Sequence, residues 1–217
     1  MAIITAVSLA NAALARIGQT ARITSLTATS TAAQACNQFY DTARRALLEE
    51  FRWRFATRRA VLVESEASKR QEWGYVYELP ADFLLAHFIN AGARDDQVPR
   101  DGRISFTLEF EPAAGEDEDD PQDREVLLTD VAPVTDAAPE LLYTFDQTAV
   151  GAWTEAFKSA VAWRLAAEIC LPLSVKPDRA RLAFDMAQSE LNAAIAKHQR
   201  GIQADPPPES EFITSRG

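Results

Sequence analysis

Ala6, Leu9, Ala10, Ala13, Leu14 and Ile17 repeat at the i, i+3, i+4, i+7 spacing of an amphipathic helix, and Gly18 stands where such a helix stops. A second helix is predicted from about Thr31 to Phe51. Its inward face is Ala32, Ala35, Cys36, Phe39, Ala43, Ala46 and Leu47, with Ser30 or Thr31 as N-cap. Trp153, Phe157, Val161, Leu165 and Ile169 mark a third helix, about 154–171, which Pro172 ends. The fourth starts near Pro177, a residue suited to a first helical turn, and runs to about Gln199. Its expected inward set is Phe184, Ala187, Leu191, Ala194 and Ile195. Alanine on facing stripes lets helix axes approach closely, and the phenylalanines fill the space that remains.

Between the second and third helices the pattern changes period. Ala60–Val63, Tyr75–Leu79, Phe83–Ile89, Ile104–Phe110, Val126–Leu128 and Leu141–Phe145 are short runs rich in aromatic and β-branched residues. Alternation is clearest over residues 104–110, where one face would be wet, and Asp101-Gly102 before it is a turn signal. The expected fold class is α+β: a four-helix bundle from the N- and C-terminal parts, an inserted antiparallel β-rich subdomain and an extended C-terminal arm. The expected divisions are 1–56, 57–148, 149–203 and 204–217.

Charge follows the same division. The 217 residues carry a net charge of −10, but residues 1–60 have a balance of +5, residues 61–150 of −15 and residues 151–217 of zero. The ends share a character that the middle lacks, as expected of a segment inserted between parts that fold together. Hydrophobic residues make up 47% and charged residues 25%, which excludes wholesale disorder. No apolar run has the ~18 residues of a membrane span, and residues 1–17 lack a basic leader region, so the expectation is a protein made in the cytoplasm without a membrane anchor. Cys36 and Cys170 sit in helical patterns and read as buried thiols rather than a disulfide framework.

Reactive chemistry is sparse. His87 and His198 are the two histidines, and neither has a cysteine or carboxylate at metal-ligand spacing. Phosphate-cradling glycine loops and nucleophile elbows are absent, so no catalytic residue, cofactor or metal site is assigned. The run Glu116-Asp-Glu-Asp-Asp120, extended by Asp123 and Glu125, lacks the ligand spacing and central glycine of a calcium loop. It reads as a solvated loop over 115–125, or as an acidic lining that repels DNA in a channel.

Two features point to partners. Arg44, Arg45, Arg52, Arg54, Arg58 and Arg59 gather at the end of the second helix and just beyond it. They compensate the helix dipole as ordinary surface charge, or they form a docking surface for carboxylates, which arginine binds in bidentate pairs; direct DNA binding is the weaker third reading. In the arm, Pro206–Pro208 favour extended backbone, and Phe212, Ile213 and Arg216 follow without a periodic core face. They read as a frayed tail or, in the preferred reading, as an arm that inserts between subunits or into a partner.

Ala12-Ala-Leu-Ala-Arg-Ile-Gly18, Ala33-Gln-Ala-Cys-Asn-Gln-Phe-Tyr-Asp41, Arg44-Arg-Ala-Leu-Leu48 and Phe51-Arg-Trp-Arg-Phe-Ala56 follow one another in the first quarter of the chain. Trp73-Gly-Tyr-Val-Tyr-Glu-Leu-Pro-Ala-Asp-Phe83, Trp153-Thr-Glu-Ala-Phe157 with Ala160–Ala167, and Ser210–Arg216 continue the series. In order and spacing these motifs resemble the tail tubular protein A family of short-tailed bacteriophages. The resemblance covers nearly the whole chain except residues 94–140, where the acidic middle departs from the pattern. The resemblance implies a structural virion protein: a head-to-tail adaptor ring, usually of twelve copies, under the portal protein. Such a ring extends the DNA channel, carries DNA without sequence-specific binding, and offers a platform for the nozzle or next tail protein. The alternatives are a small enzyme with a composite carboxylate site and, less favoured, an acidic regulatory protein that mimics DNA.

Overall fold

A computed structural model describes residues 5–65, 72–90, 104–111, 124–132 and 139–200. Its mixed architecture is α+β, with four α-helices and two antiparallel sheets. The chain divides into two compact units, one of residues 1–43 and 153–217, the other of residues 44–152. The first cut falls inside the second helix rather than after residue 56, and Arg44, the first residue past it, pairs with Asp146 of the same unit.

In the helical unit, α1 (Ala6–Arg16) opens with a reciprocal cap. Thr5 Oγ1 accepts from the Ser8 amide at 3.2 Å, and Ser8 Oγ accepts from the Thr5 amide at 2.8 Å. Gly18, at φ +82°, closes the helix in the left-handed conformation that glycine adopts without penalty. A Cβ there would stand 2.2 Å from Arg179 Nη1, the same nitrogen that donates to the Ile17 carbonyl at 3.3 Å. The Asn11 side chain acts as a strand partner for the following loop, accepting from Ile23 N at 2.8 Å and donating to Ile23 O at 2.9 Å.

The second helix, α2 (Thr31–Glu49), starts at Ser30, whose Oγ accepts from the Ala33 amide at 3.3 Å. Helix α3 (Glu155–Ile169) is capped by Thr154 and packs against both α1 and α4 (Pro177–Arg200). Phe157, Ala160, Val161, Leu165, Ala166 and Ile169 are all fully buried along it. Arg16 ties α1 to α3, donating to Ser159 O and Oγ at 2.9 and 3.1 Å with its guanidinium 4.5 Å from the Trp163 ring centre. One residue of the expected α4 face is corrected: Phe184 is 61% exposed, and Ala183 takes the inward place beside Ala187, Leu191 and Ala194. A helix this rich in alanine has apolar residues on every side, so pattern alone misassigns the stripe by one position.

The β-rich unit holds β1 (Thr57–Val61), β2 (Val63–Glu64), β3 (Tyr75–Glu78), β4 (Phe83–Asn90), β5 (Phe106–Glu111), β6 (Arg124–Thr129) and β7 (Glu140–Phe145). One sheet has the order β1-β7-β4 and the other β2-β3-β6-β5. Leu62, between β1 and β2, donates its amide to the Pro139 carbonyl and lies in the core, so one extended stretch leaves the first sheet and enters the second. Such strand switching makes a corner between packed sheets. Tyr77 and Leu127 from one sheet meet Ile89, Leu141, Tyr143 and Phe145 from the other in one cluster. The expected strands fall on these elements to within a few residues. Among the described residues no helix is long and apolar enough to cross a membrane.

Candidate docking site

The arginine cluster lies in the β-rich unit, where the aromatic segment after α2 shapes it. Phe51, Trp53 and Phe55 alternate with Arg52 and Arg54. Trp53 is fully buried, donates Nε1–H to the Leu47 carbonyl at 2.8 Å, and sits between the Phe51 and Phe55 rings. Burying the central indole fixes the segment, while Arg52 and Arg54 are exposed. Residues Arg54–Ala56 then make a short 3₁₀ turn into β1, which brings in Arg58 and Arg59.

Arg44 is a correction to the expected surface. It is only 2% exposed and pairs with Asp146, so it belongs to the unit's interior and no partner can reach it. Arg45 reaches the other oxygen of the same carboxylate at 2.8 Å and keeps 55% of its side chain exposed. Burial pushes the Asp146 carboxyl up, but hydrogen bonds and charge from Arg44 and Arg45 outweigh it and leave the group below the ordinary carboxylate range. The last turn of α2 holds no basic residue, so these arginines do not serve the helix dipole.

Arg58 is held from two sides. Its Nη1 donates to Asp82 Oδ2 at 2.8 Å, and its guanidinium carbon lies 3.6 Å from the Phe145 ring centre. The other Asp82 oxygen accepts from the Tyr143 hydroxyl at 2.8 Å, and the Asp82 carbonyl accepts from the Asp146 amide at 2.7 Å. Burial, then donation to Asp82, pushes the Tyr143 phenol up to about 12. The Leu79-Pro-Ala-Asp82 turn therefore joins β1, β4 and β7 through one carboxylate. Arg59 pairs with Glu140 at 3.4 Å and stays 56% exposed.

Arg52 stacks 5.6 Å from the Phe88 ring centre. Nearby, two register shifts in the β4–β7 pairing, between Phe83 and Leu85 and between Ala86 and Phe88, accompany a hydrogen bond of His87 Nε2 with Thr144 Oγ1 at 2.8 Å. Burial and the Arg52 charge both lower the His87 pKa, which keeps the ring neutral near pH 7.

Arg45, Arg52, Arg54, Arg58 and Arg59 are thus the exposed members of the cluster, with Arg58 and Arg59, adjacent on β1, on opposite faces of its sheet. A guanidinium has five N–H donors, and a single internal carboxylate uses only one or two of them. The remaining donors of Arg45, Arg58 and Arg59 are held in fixed positions, which suits them to carboxylates on a partner. Sequence reasoning missed the anchors Asp82, Asp146 and Tyr143. Asp82 did stand in the quoted Leu-Pro-x-Asp motif, but Asp146 lies about a hundred residues from its arginines and carries no local signal.

The other expected sites divide simply. Phe212, Ile213 and Arg216 lie outside the described residues, as does the acidic run 115–123. Cys36 and Cys170 are buried, and burial pushes the Cys36 thiol up to about 11. Among the described residues no group of three His, Cys, Asp or Glu could hold a metal ion. No known family model matches this chain, and no curated protein sequence matches it.

Proposed function

We propose that this chain is a structural virion protein, a ring-forming head-to-tail adaptor that docks under a phage portal, extends the DNA channel and carries the next tail component. In this reading α1–α4 form one bundle that builds the ring, self-association sets its copy number, and DNA passes without sequence-specific contact. The observation that supports it is the role of Asp82. This residue of the motif on which the resemblance rests receives Arg58 and Tyr143 together, and so fixes one of the exposed arginines in place. Gly18, the end of another such motif, likewise occupies a left-handed position that favours glycine.

The test separates surface charge from internal pairing. Arg52→Glu with Arg54→Glu changes exposed positions whose substitution usually costs within ~0.5 kcal/mol, so the folded chain persists. Arg58 is left intact, because a carboxylate there would face Asp82. Pull-down and light scattering with the portal ring should show binding by the native chain and at least tenfold weaker binding by the variant. Native-strength binding by the variant removes the docking role.

A further inference from the structure

The α3–α4 hairpin of the helical unit carries an apolar groove that the described residues do not fill. Leu171, just past α3, is 87% exposed, and Phe184, in the N-terminal half of α4, is 61% exposed. With half-buried Ala180 they line a groove of about 550 Å³, rimmed by Glu168, Arg181 and Asp185. Glu168 is taken by Arg164 at 3.0 Å, but Arg181 and Asp185 make no ion pair among the described residues. Two large apolar side chains beside one charge of each sign that no described residue pairs make a surface suited to an apolar segment with mixed flanking charges.

The chain itself contains such a segment. Phe212 and Ile213 are preceded by Glu209 and Glu211 and followed by Arg216. We propose that the groove receives residues 209–216 of a second copy of this chain, an inference that rests on the ring reading above. Phe184 stands sixteen residues before the end of α4, about 24 Å along the helix, whereas residues 201–211 span up to about 36 Å when extended. Length therefore permits either copy, and Pro206–Pro208 decide between them. Prolines held in extended backbone push any reversal along α4 into residues 201–205, and the six residues 206–211 left after it span at most about 22 Å, short of the distance back to Phe184. A groove and its ligand on different parts of one surface also make a head-to-tail contact, the kind that closes into rings.

Paired cysteines test the assignment in the full chain. One tagged chain carries Ala180→Cys on the groove wall, and a second, differently tagged, carries Thr214→Cys beside the intact Phe212 and Ile213. The native thiols are buried and stay out of the reaction. Oxidation of the mixture with the portal ring present should give a disulfide between the two tagged chains. Phe184→Asp, at an exposed position, should weaken ring assembly at least tenfold without unfolding the chain. A disulfide that forms within a chain carrying both substitutions, unchanged on dilution, overturns the second-copy assignment. So does a disulfide from the groove-wall cysteine to the portal, or a ring that forms with no disulfide between the two introduced thiols, and in the last case the ring reading stands. A native chain that stays single beside the portal overturns that reading and this one together.

Discussion

The helical and β-rich units are stabilised by different means. In the helical unit the caps that start the helices are short in sequence, Thr5 with Ser8, Ser30 with Ala33 and Thr154 with Phe157, and only Arg16 with Ser159 and Arg179 with Ile17 among the side-chain contacts named above tie its helices across more than a hundred residues. In the β-rich unit the ordering contacts are long. Arg44 and Arg45 meet Asp146 across about a hundred residues, Tyr143 meets Asp82 across 61, and Arg59 meets Glu140 across 81. The difference teaches where charge is surface decoration and where it is part of the interior. An arginine cluster beside a helix end looks like a surface, yet here its first member is buried and the next is anchored on the same carboxylate.

The largest effect expected from breaking this contrast is at Asp146. Asp146→Asn removes the carboxylate that buried Arg44 pairs with, and breaking a buried pair of this kind costs about 3–5 kcal/mol. Chemical denaturation should report it, and hydrogen exchange should place the loss in residues 44–152. The double variant Arg44→Met, Asp146→Leu should recover most of it, because an apolar pair needs no counterion; no recovery would deny that the charge is the cause.

Asp146 also sets an acid limit. Its carboxyl is depressed in the folded chain, so the unfolded chain binds the proton first. The stabilisation is fully present above the ordinary value of 3.8 and is lost as pH falls through the lower, folded value. Asp146→Asn should remove that part of the pH dependence in an acid titration of stability.

Within the helical unit the largest local effect is at Gly18. Gly18→Ala forces a Cβ into the left-handed region, at about 1–2 kcal/mol, and pushes Arg179 from the Ile17 carbonyl. Thr154→Ala removes one cap and should cost ~1 kcal/mol, measurable as a lower Tm. The smallest effect sharpens the picture of the surface. Arg52→Gln deletes a charge beside His87, so the His87 pKa, followed by NMR, should rise toward 6.5. An unchanged value would mean that burial alone lowers it.

How far the sequence disclosed these features follows from the same contrast. Helix starts at Ser30 and Thr154, the stop at Gly18 and the period-2 strands are encoded within a few residues, and each was legible. The α4 stripe failed at Phe184 because alanine on all sides blurs the face. For the candidate site, five of the six clustered arginines do lie on the surface, but the anchors could not be found. Nothing near Arg44 or Arg58 names Asp146 or Asp82, since antiparallel pairing of β1 and β4 with β7 brings them together.

Light scattering of the purified full chain, with and without a portal ring, tests the proposed assembly as an adaptor ring. The expected result is a complex whose added mass corresponds to many copies, with about twelve as the expected number. A chain that elutes at the mass of a single copy in both cases would contradict it.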